Sequence, residues 1–183
     1  AATVSPAELR RAIQIQQLSF HGGILTEDEL KIVVADAKAH NEQIVMTGGC
    51  FDILHLGHVS YLAQAADTAK HLIVAINTDA SVRALNKAPN RPIHTEAARA
   101  IVLAALGFVD AVVFFKEDTP LQIIETLRPD ILLKGADYNA AQNDPAAKDY
   151  IVGSDVVKSY GGAVLTIPFV EGYSTTGILA KAK

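Results

Sequence analysis

Gln43-Ile-Val-Met-Thr-Gly-Gly-Cys-Phe-Asp-Ile-Leu-His-Leu-Gly-His-Val-Ser-Tyr-Leu62 is the stretch from which the fold is read. Its first five residues form a compact β-branched and apolar run, the pattern of a short buried strand. From Gly57 onward Val59, Tyr61, Leu62, Ala65 and Ala66 recur at roughly helical spacing, which predicts a helix. Between strand and helix lie glycines, Asp52 and two histidines three apart, His55 and His58. In an α/β protein such a strand–turn–helix junction holds anions, because free backbone N–H groups and the positive end of the helix dipole point at the ligand. His55 and His58 add imidazole groups one turn apart, so the junction reads as a phosphate site.

The same pair can be half of a metal site. Zinc asks for three or four ligands, however, and the single cysteine and the other four histidines offer no further cluster at ligand spacing. Other nucleotide-binding patterns are missing. There is no G-x-x-x-x-G-K-[ST], and no G-x-G-x-x-G follows a strand.

Outward from this junction the chain alternates strands and helices. Upstream, Thr26-Glu-Asp-Glu29 is a capping box that opens a helix to about His40, with Leu30, Val33, Val34 and Ala37 facing the core. Downstream, His71–Asn77 is a buried parallel-type strand that brings Asn77 and Asp79 to its carboxyl end. A loop with two prolines over residues 86–92 carries Lys87 and Arg91, and a loop can deliver a cation over a phosphate.

A helix from His94 to Leu106 follows, with Ile101, Val102, Ala105 and Leu106 as its apolar face and Arg99 on the polar side. Then come a third strand over 109–115, a helix capped by Thr119 with Pro120 at its first position, and a fourth strand over 130–134. A polar loop over 140–147, a helix over 149–160 and a fifth strand over 163–168 complete the sheet. Ser174, Thr175 and Thr176 open a last helix, where hydroxyls cap the helix and can also take phosphates. Residues 1–25 read as an extension or linker, with a short helix from Ser5, and residues 26–183 as one domain.

Composition narrows the class. The 183 residues are half hydrophobic and a fifth charged, enough for one domain with a real core. A net charge of −4 argues against general nucleic-acid binding, so an anion must be held by local groups. The longest apolar run, residues 100–109, is too short to span a bilayer, and one cysteine suits a reducing compartment. These features lead to the expectation of a cytoplasmic protein with no membrane partner.

Gly49-Cys-Phe-Asp-Ile-Leu-His-Leu-Gly-His58 resembles the H-x-G-H signature of the nucleotidyltransferase superfamily, which includes the cytidylyltransferases. Within it, His58–Leu62, Asn77–Val82, Glu117–Pro120, Lys134–Tyr138 and Glu171–Thr176 are similar to the adenylyltransferase half of bifunctional heptose kinase/adenylyltransferases. The resemblance implies a Rossmann-like, doubly wound parallel sheet of five strands in the order 3-2-1-4-5. It also implies transfer of AMP from ATP, with Mg²⁺, to D-glycero-β-D-manno-heptose 1-phosphate, giving ADP-heptose for lipopolysaccharide.

In that scheme His55, His58 and Lys87 are catalytic. Gly49, Cys50, Phe51, Asp52, Gly57, Arg99, Lys134, Gly135, Asp137, Ser174, Thr175 and Thr176 bind nucleotide or phosphate, and Thr47, Asp52, Asn77 and Asp79 bind substrate. The partners implied are a sugar 1-phosphate, further copies of the chain, and a fused or separate sugar kinase. The family often has Arg-Thr-Glu-Gly before the last helix, whereas Phe169-Val-Glu-Gly172 lacks that arginine. Two rivals follow from the same residues: a glycerol-3-phosphate cytidylyltransferase, and a nucleotide sensor without turnover.

Overall fold

The computed structural model describes residue 5 and residues 23–86, 89–168, 170 and 172–181. The short helix expected after Ser5 lies outside the described residues, as do Lys87, Phe169 and Glu171.

A short strand β1 (Gly23–Ile24) precedes helix α1 (Glu27–Ala39). The Thr26 hydroxyl accepts from the Glu29 N–H, while the Glu29 carboxylate accepts from the Thr26 N–H at 2.8 Å, so the capping box read from sequence is formed. Leu30, Val33, Val34 and Ala37 are all buried, as their spacing predicts. Strand β2 (Ile44–Gly49) and helix α2 (Leu56–Ala66) flank the histidine turn. Strand β3 (His71–Asn77) is buried along its whole length and leads into helix α3 (Asp79–Ala84).

Helix α4 (Glu96–Ala104), β4 (Ala111–Phe115), α5 (Leu121–Leu127), β5 (Ile131–Gly135), α6 (Ser154–Ser159), β6 (Ala163–Ile167) and α7 (Thr175–Lys181) follow. The sheet is parallel throughout, in the order β1-β4-β3-β2-β5-β6. It has six strands rather than the expected five. The five predicted strands keep the predicted relative order, and Gly23–Ile24, inside the segment read as an extension, adds an edge strand against Ala111 and Val112.

Helices cover both faces. Residues of α1, α5 and α6 pack on one side with Ile44, Met46, Ile73 and Ala75; residues of α2 and α4 pack on the other with Val45, Leu72, Val74 and Ile76. Neighbours along β2 and β3 therefore point to opposite faces, the period of a strand buried on both sides. The chain steps outward from β2 through β3 to β4, then returns across the sheet to β5. This reversal opens a crevice at the carboxyl end of β2, where such sheets hold ligands.

Three local readings change. In α4 the buried residues are Arg99, Ala100 and Leu103, while Ile101 is 61% and Val102 47% exposed, so the face expected to be polar is the inner one. In α5 it is Pro120 that stands at the cap, without a side-chain cap bond, so Thr119 does not cap the helix. α6 is shorter than the expected helix over 149–160, since Gly153 at φ 86° sets its start.

Candidate active site

The histidine turn is built from its own side chains. His55 is the N-cap of α2 in extended conformation, and its Nδ1 accepts the His58 backbone N–H at 3.3 Å. That acceptor role leaves the proton of a neutral His55 on Nε2. His58 is held the opposite way. Its Nδ1 lies 3.1 Å from the Ile53 carbonyl, which can only accept, so Nδ1 carries the proton and Nε2 is left with a lone pair.

The rings stack 3.8 Å apart with 15° between planes, and Phe51 meets His58 edge-on at 5.1 Å. Phe51 itself sits at φ 45°, an uncommon left-handed backbone for a bulky residue and a local strain at the turn. A Cβ on Gly57 would stand 3.1 Å from two atoms of the His55 ring and 3.3 Å from Tyr173 Cβ. The glycine between the histidines thus makes room for the first ring. Burial lowers the pKa of His55. It lowers that of His58 to about 4, with the like charge of His55 and Arg91 acting in the same direction and the Ile53 carbonyl opposing.

A cavity of about 370 Å³ opens over this turn, a volume in the range of small-molecule sites. It takes in Gly48, Gly49, Cys50, Phe51 and His58 at its centre. Lys134, Gly135, Asp137 and Tyr138 stand on the β5 side, and Asn77 on the β3 side. Lys134 Nζ donates to the Gly48 carbonyl and lies 5.7 Å from the centre of the Tyr138 ring, which ties β5 to the turn. Sequence reasoning passed over Tyr61, Phe115, Asp118, Thr119 and Val152, all of which line the same cavity. The rule that ligands sit beyond strand carboxyl ends was the available signal for Asp118 and Thr119, just past β4.

Several residues assigned to ligands hold the turn together instead. Asp52 is 1% exposed; its carboxylate accepts from Arg91 Nε at 3.0 Å and from the N–H groups of Ile93 and His94 at 2.8 and 3.0 Å. Burial opposes its ionisation, but the bonds from His94, Arg91 and Ile93 outweigh it and hold its pKa below the usual value.

Arg99 is 2% exposed and its donors are used internally, on the carbonyls of His94, Cys50 and Asn77 and on Asp79 Oδ1 at 2.8 Å. Arg99 is therefore a buried clasp joining α4 to the ends of β2 and β3. Asp79 is its ionic partner, and Thr47, 1% exposed, is bonded to the Tyr61 hydroxyl at 2.6 Å. Neither Thr47, Asp52 nor Asp79 lines the cavity. Asn77 does, with its amide donating to Ser81 and accepting weakly from Cys50 Sγ at 3.7 Å.

Ser174 Oγ accepts the Gly177 N–H at 3.0 Å, a capping bond at the start of α7. Ser174, Thr175 and Thr176 do not line the cavity, although the neighbouring Tyr173 abuts Gly57 at the start of α2.

A doubly wound parallel sheet with a histidine-capped helix at its switch point defines a nucleotide-binding α/β domain. The cytidylyltransferase-like family matches residues 46–181, and the chain belongs to that family. Over 182 residues, all of this chain, it is 50% identical to the bifunctional protein HldE of Pseudomonas fluorescens, and equally to that of Azotobacter vinelandii. The chain spans 36% of the length of each of these relatives. A crystal structure of the lipopolysaccharide core biosynthesis protein from Thermoplasma volcanium superposes with a TM-score of 0.54 at 26% identity, covering 73% of this chain and 99% of that one. Among the described residues no helix is long and apolar enough to cross a membrane.

Proposed function

We propose that the protein transfers AMP from Mg·ATP to D-glycero-β-D-manno-heptose 1-phosphate, releasing pyrophosphate and ADP-heptose. The observation that carries this reading is His58 lining a cavity over the N-terminus of α2, at the switch point of the sheet. Full-chain identity to bifunctional relatives supports the heptose branch, as does the likeness to a protein named for lipopolysaccharide core biosynthesis.

A phosphate oxygen of the sugar 1-phosphate attacks the α-phosphorus of ATP. The bond to the bridging oxygen breaks in line, and pyrophosphate leaves with that electron pair. The nucleophile is already anionic, so no covalent enzyme intermediate is needed. The protein's part is positioning and charge stabilisation. His58, the backbone N–H groups at the start of α2 and Lys134 surround the phosphates. Tyr138 and Asp137 frame the nucleoside, Ser174, Thr175 and Thr176 meet the terminal phosphates, and Lys87 is assigned to the leaving group from the family resemblance alone.

Magnesium enters with the substrate, carried by the triphosphate. The sugar 1-phosphate is supplied by a sugar kinase, fused or separate, and the domain works as a homo-oligomer.

Pyrophosphate release is the test, measured with each nucleoside triphosphate against a panel of sugar and alcohol phosphates. ATP with the heptose 1-phosphate should be the preferred pair. Preference for CTP with glycerol 3-phosphate would overturn the reading.

A further inference from the structure

The carboxylates near the carboxyl ends of the strands fall into two groups. Asp52 and Asp79 are consumed by the arginine clasps. Asp118 and Asp137 are exposed, line the cavity, and make no hydrogen bond or ion pair with any described residue. They stand on opposite sides of the histidine turn, since Asp118 follows β4 and Asp137 follows β5, with β3 and β2 between those strands.

We propose that Asp118 determines acceptor specificity by accepting hydrogen bonds from hydroxyl groups of the sugar of the sugar phosphate. The proposal rests on the function proposed above and names the residue that reads its second substrate. A nucleotide sugar is two sugars joined through two phosphates. The cavity repeats that order, as a carboxylate, a floor of N–H and imidazole groups, and a second carboxylate.

A carboxylate repels phosphate but accepts two hydrogen bonds from adjacent hydroxyls, so each one marks where a polyol and not a phosphate can lie. Among the described lining residues, charge separates the two flanks. The β5 side holds the Lys134 ammonium and the flat, half-buried Tyr138 ring, which suit a triphosphate and a base. The β3–β4 side holds Asn77, Phe115, Asp118 and Thr119, with no lysine or arginine among the described lining residues. The triphosphate is drawn to the first flank, which leaves the uncharged hydroxyls of the acceptor to the second. Asn77 spends one N–H on Ser81 and takes a weak bond from Cys50 Sγ, so Asp118 is the only charged acceptor among the described lining residues there.

The test is steady-state kinetics of the wild type, Asp118→Asn and Asp118→Ala, with melting curves to show that these exposed-site variants fold. Removing a charged acceptor of substrate hydroxyls should raise the KM for the sugar phosphate about 10- to 100-fold. The KM for ATP should stay within twofold. The preference for the sugar phosphate over a simple alkyl phosphate should shrink in Asp118→Ala, which a merely structural residue would not bring about. An unchanged acceptor KM, or an equal rise for ATP, overturns the proposal. If the wild type instead turns over another hydroxylated acceptor with another nucleotide, the proposed function fails, and the same comparison on that acceptor decides Asp118. Turnover of no hydroxylated acceptor overturns both.

Discussion

The imidazoles of His55 and His58 lie face to face, 3.8 Å apart, with their ring protons fixed on opposite nitrogens by the His58 N–H and the Ile53 carbonyl. Two cations stacked this closely repel, so the pair holds one positive charge at most near neutral pH. Neutral His58 offers only a lone pair at Nε2 and cannot donate to a phosphate from there.

ATP binding should therefore add a proton to His58. With its pKa at about 4 in the free protein, His58 is neutral at pH 7, and a bound phosphate raises that value. A site whose pKa rises on binding takes up protons, so ATP affinity falls as pH rises between the free and the bound pKa. Titration calorimetry in buffers of different ionisation enthalpy should report net proton uptake in the wild type and close to none in His58→Ala. His58→Asn keeps an N–H donor but no charge, and should be no better than His58→Ala in kcat. Absence of proton uptake in the wild type would refute the assignment.

Gly57→Ala should separate stability from activity. Alanine favours a helix by about 1 kcal/mol over glycine, and disturbing the His55 cap costs about as much, so the melting temperature should change little. Its Cβ would press on the His55 ring at 3.1 Å and force the imidazole aside. A displaced catalytic group costs on the order of 10- to 100-fold in kcat. Wild-type turnover in this variant would show that the position of His55 does not matter.

Arg99→Met should unfold the protein more easily and not merely slow it. The substitution strands the Cys50 and Asn77 carbonyls and leaves Asp79 without its cation. Breaking one side of a buried pair costs about 3–5 kcal/mol. In a domain of this size that lowers Tm by about 6–20 °C. A large loss of kcat at unchanged Tm would instead restore Arg99 as a ligand contact.

Cys50→Ser should keep most of the activity. Among the described residues the thiol makes one hydrogen bond, at 3.7 Å to Asn77 Oδ1, and attack by a phosphate oxygen gives it no chemical step. Mass spectrometry after incubation with ATP should find no nucleotide on residue 50. A stable adduct there would contradict direct transfer.

What could be read from the residues alone was whatever local chemistry decides. The capping box at Thr26, the fully apolar strand His71–Asn77 and the strand–turn–helix around His55 each carry their structure in adjacent positions. The alternation of strands and helices pointed to a doubly wound parallel sheet, and the order of its five strands came with the family resemblance. The face of α4 carrying Arg99 was misread because hydropathy ranks arginine outward and counts Ile101 and Val102 inward. Four acceptors waiting in the interior, from His94, Cys50, Asn77 and Asp79, reverse that ranking, and they come together only in three dimensions. The arginine partners of Asp52 and Asp79 likewise become visible only in three dimensions. Gly23–Ile24 is too short to show any strand period.

One consequence of the His55 cap bears on how such a domain changes over time. A residue that fastens the first turn of α2 cannot be replaced freely even after its chemistry is no longer wanted, because losing a cap destabilises a helix by about 1 kcal/mol. A descendant that kept the nucleotide and abandoned turnover would keep a capping side chain there. It should carry serine, asparagine or aspartate in place of His55, while position 58, which caps nothing, is left to drift. The first histidine is thus a fossil marker in waiting: what replaces it would tell a retired enzyme from a damaged one.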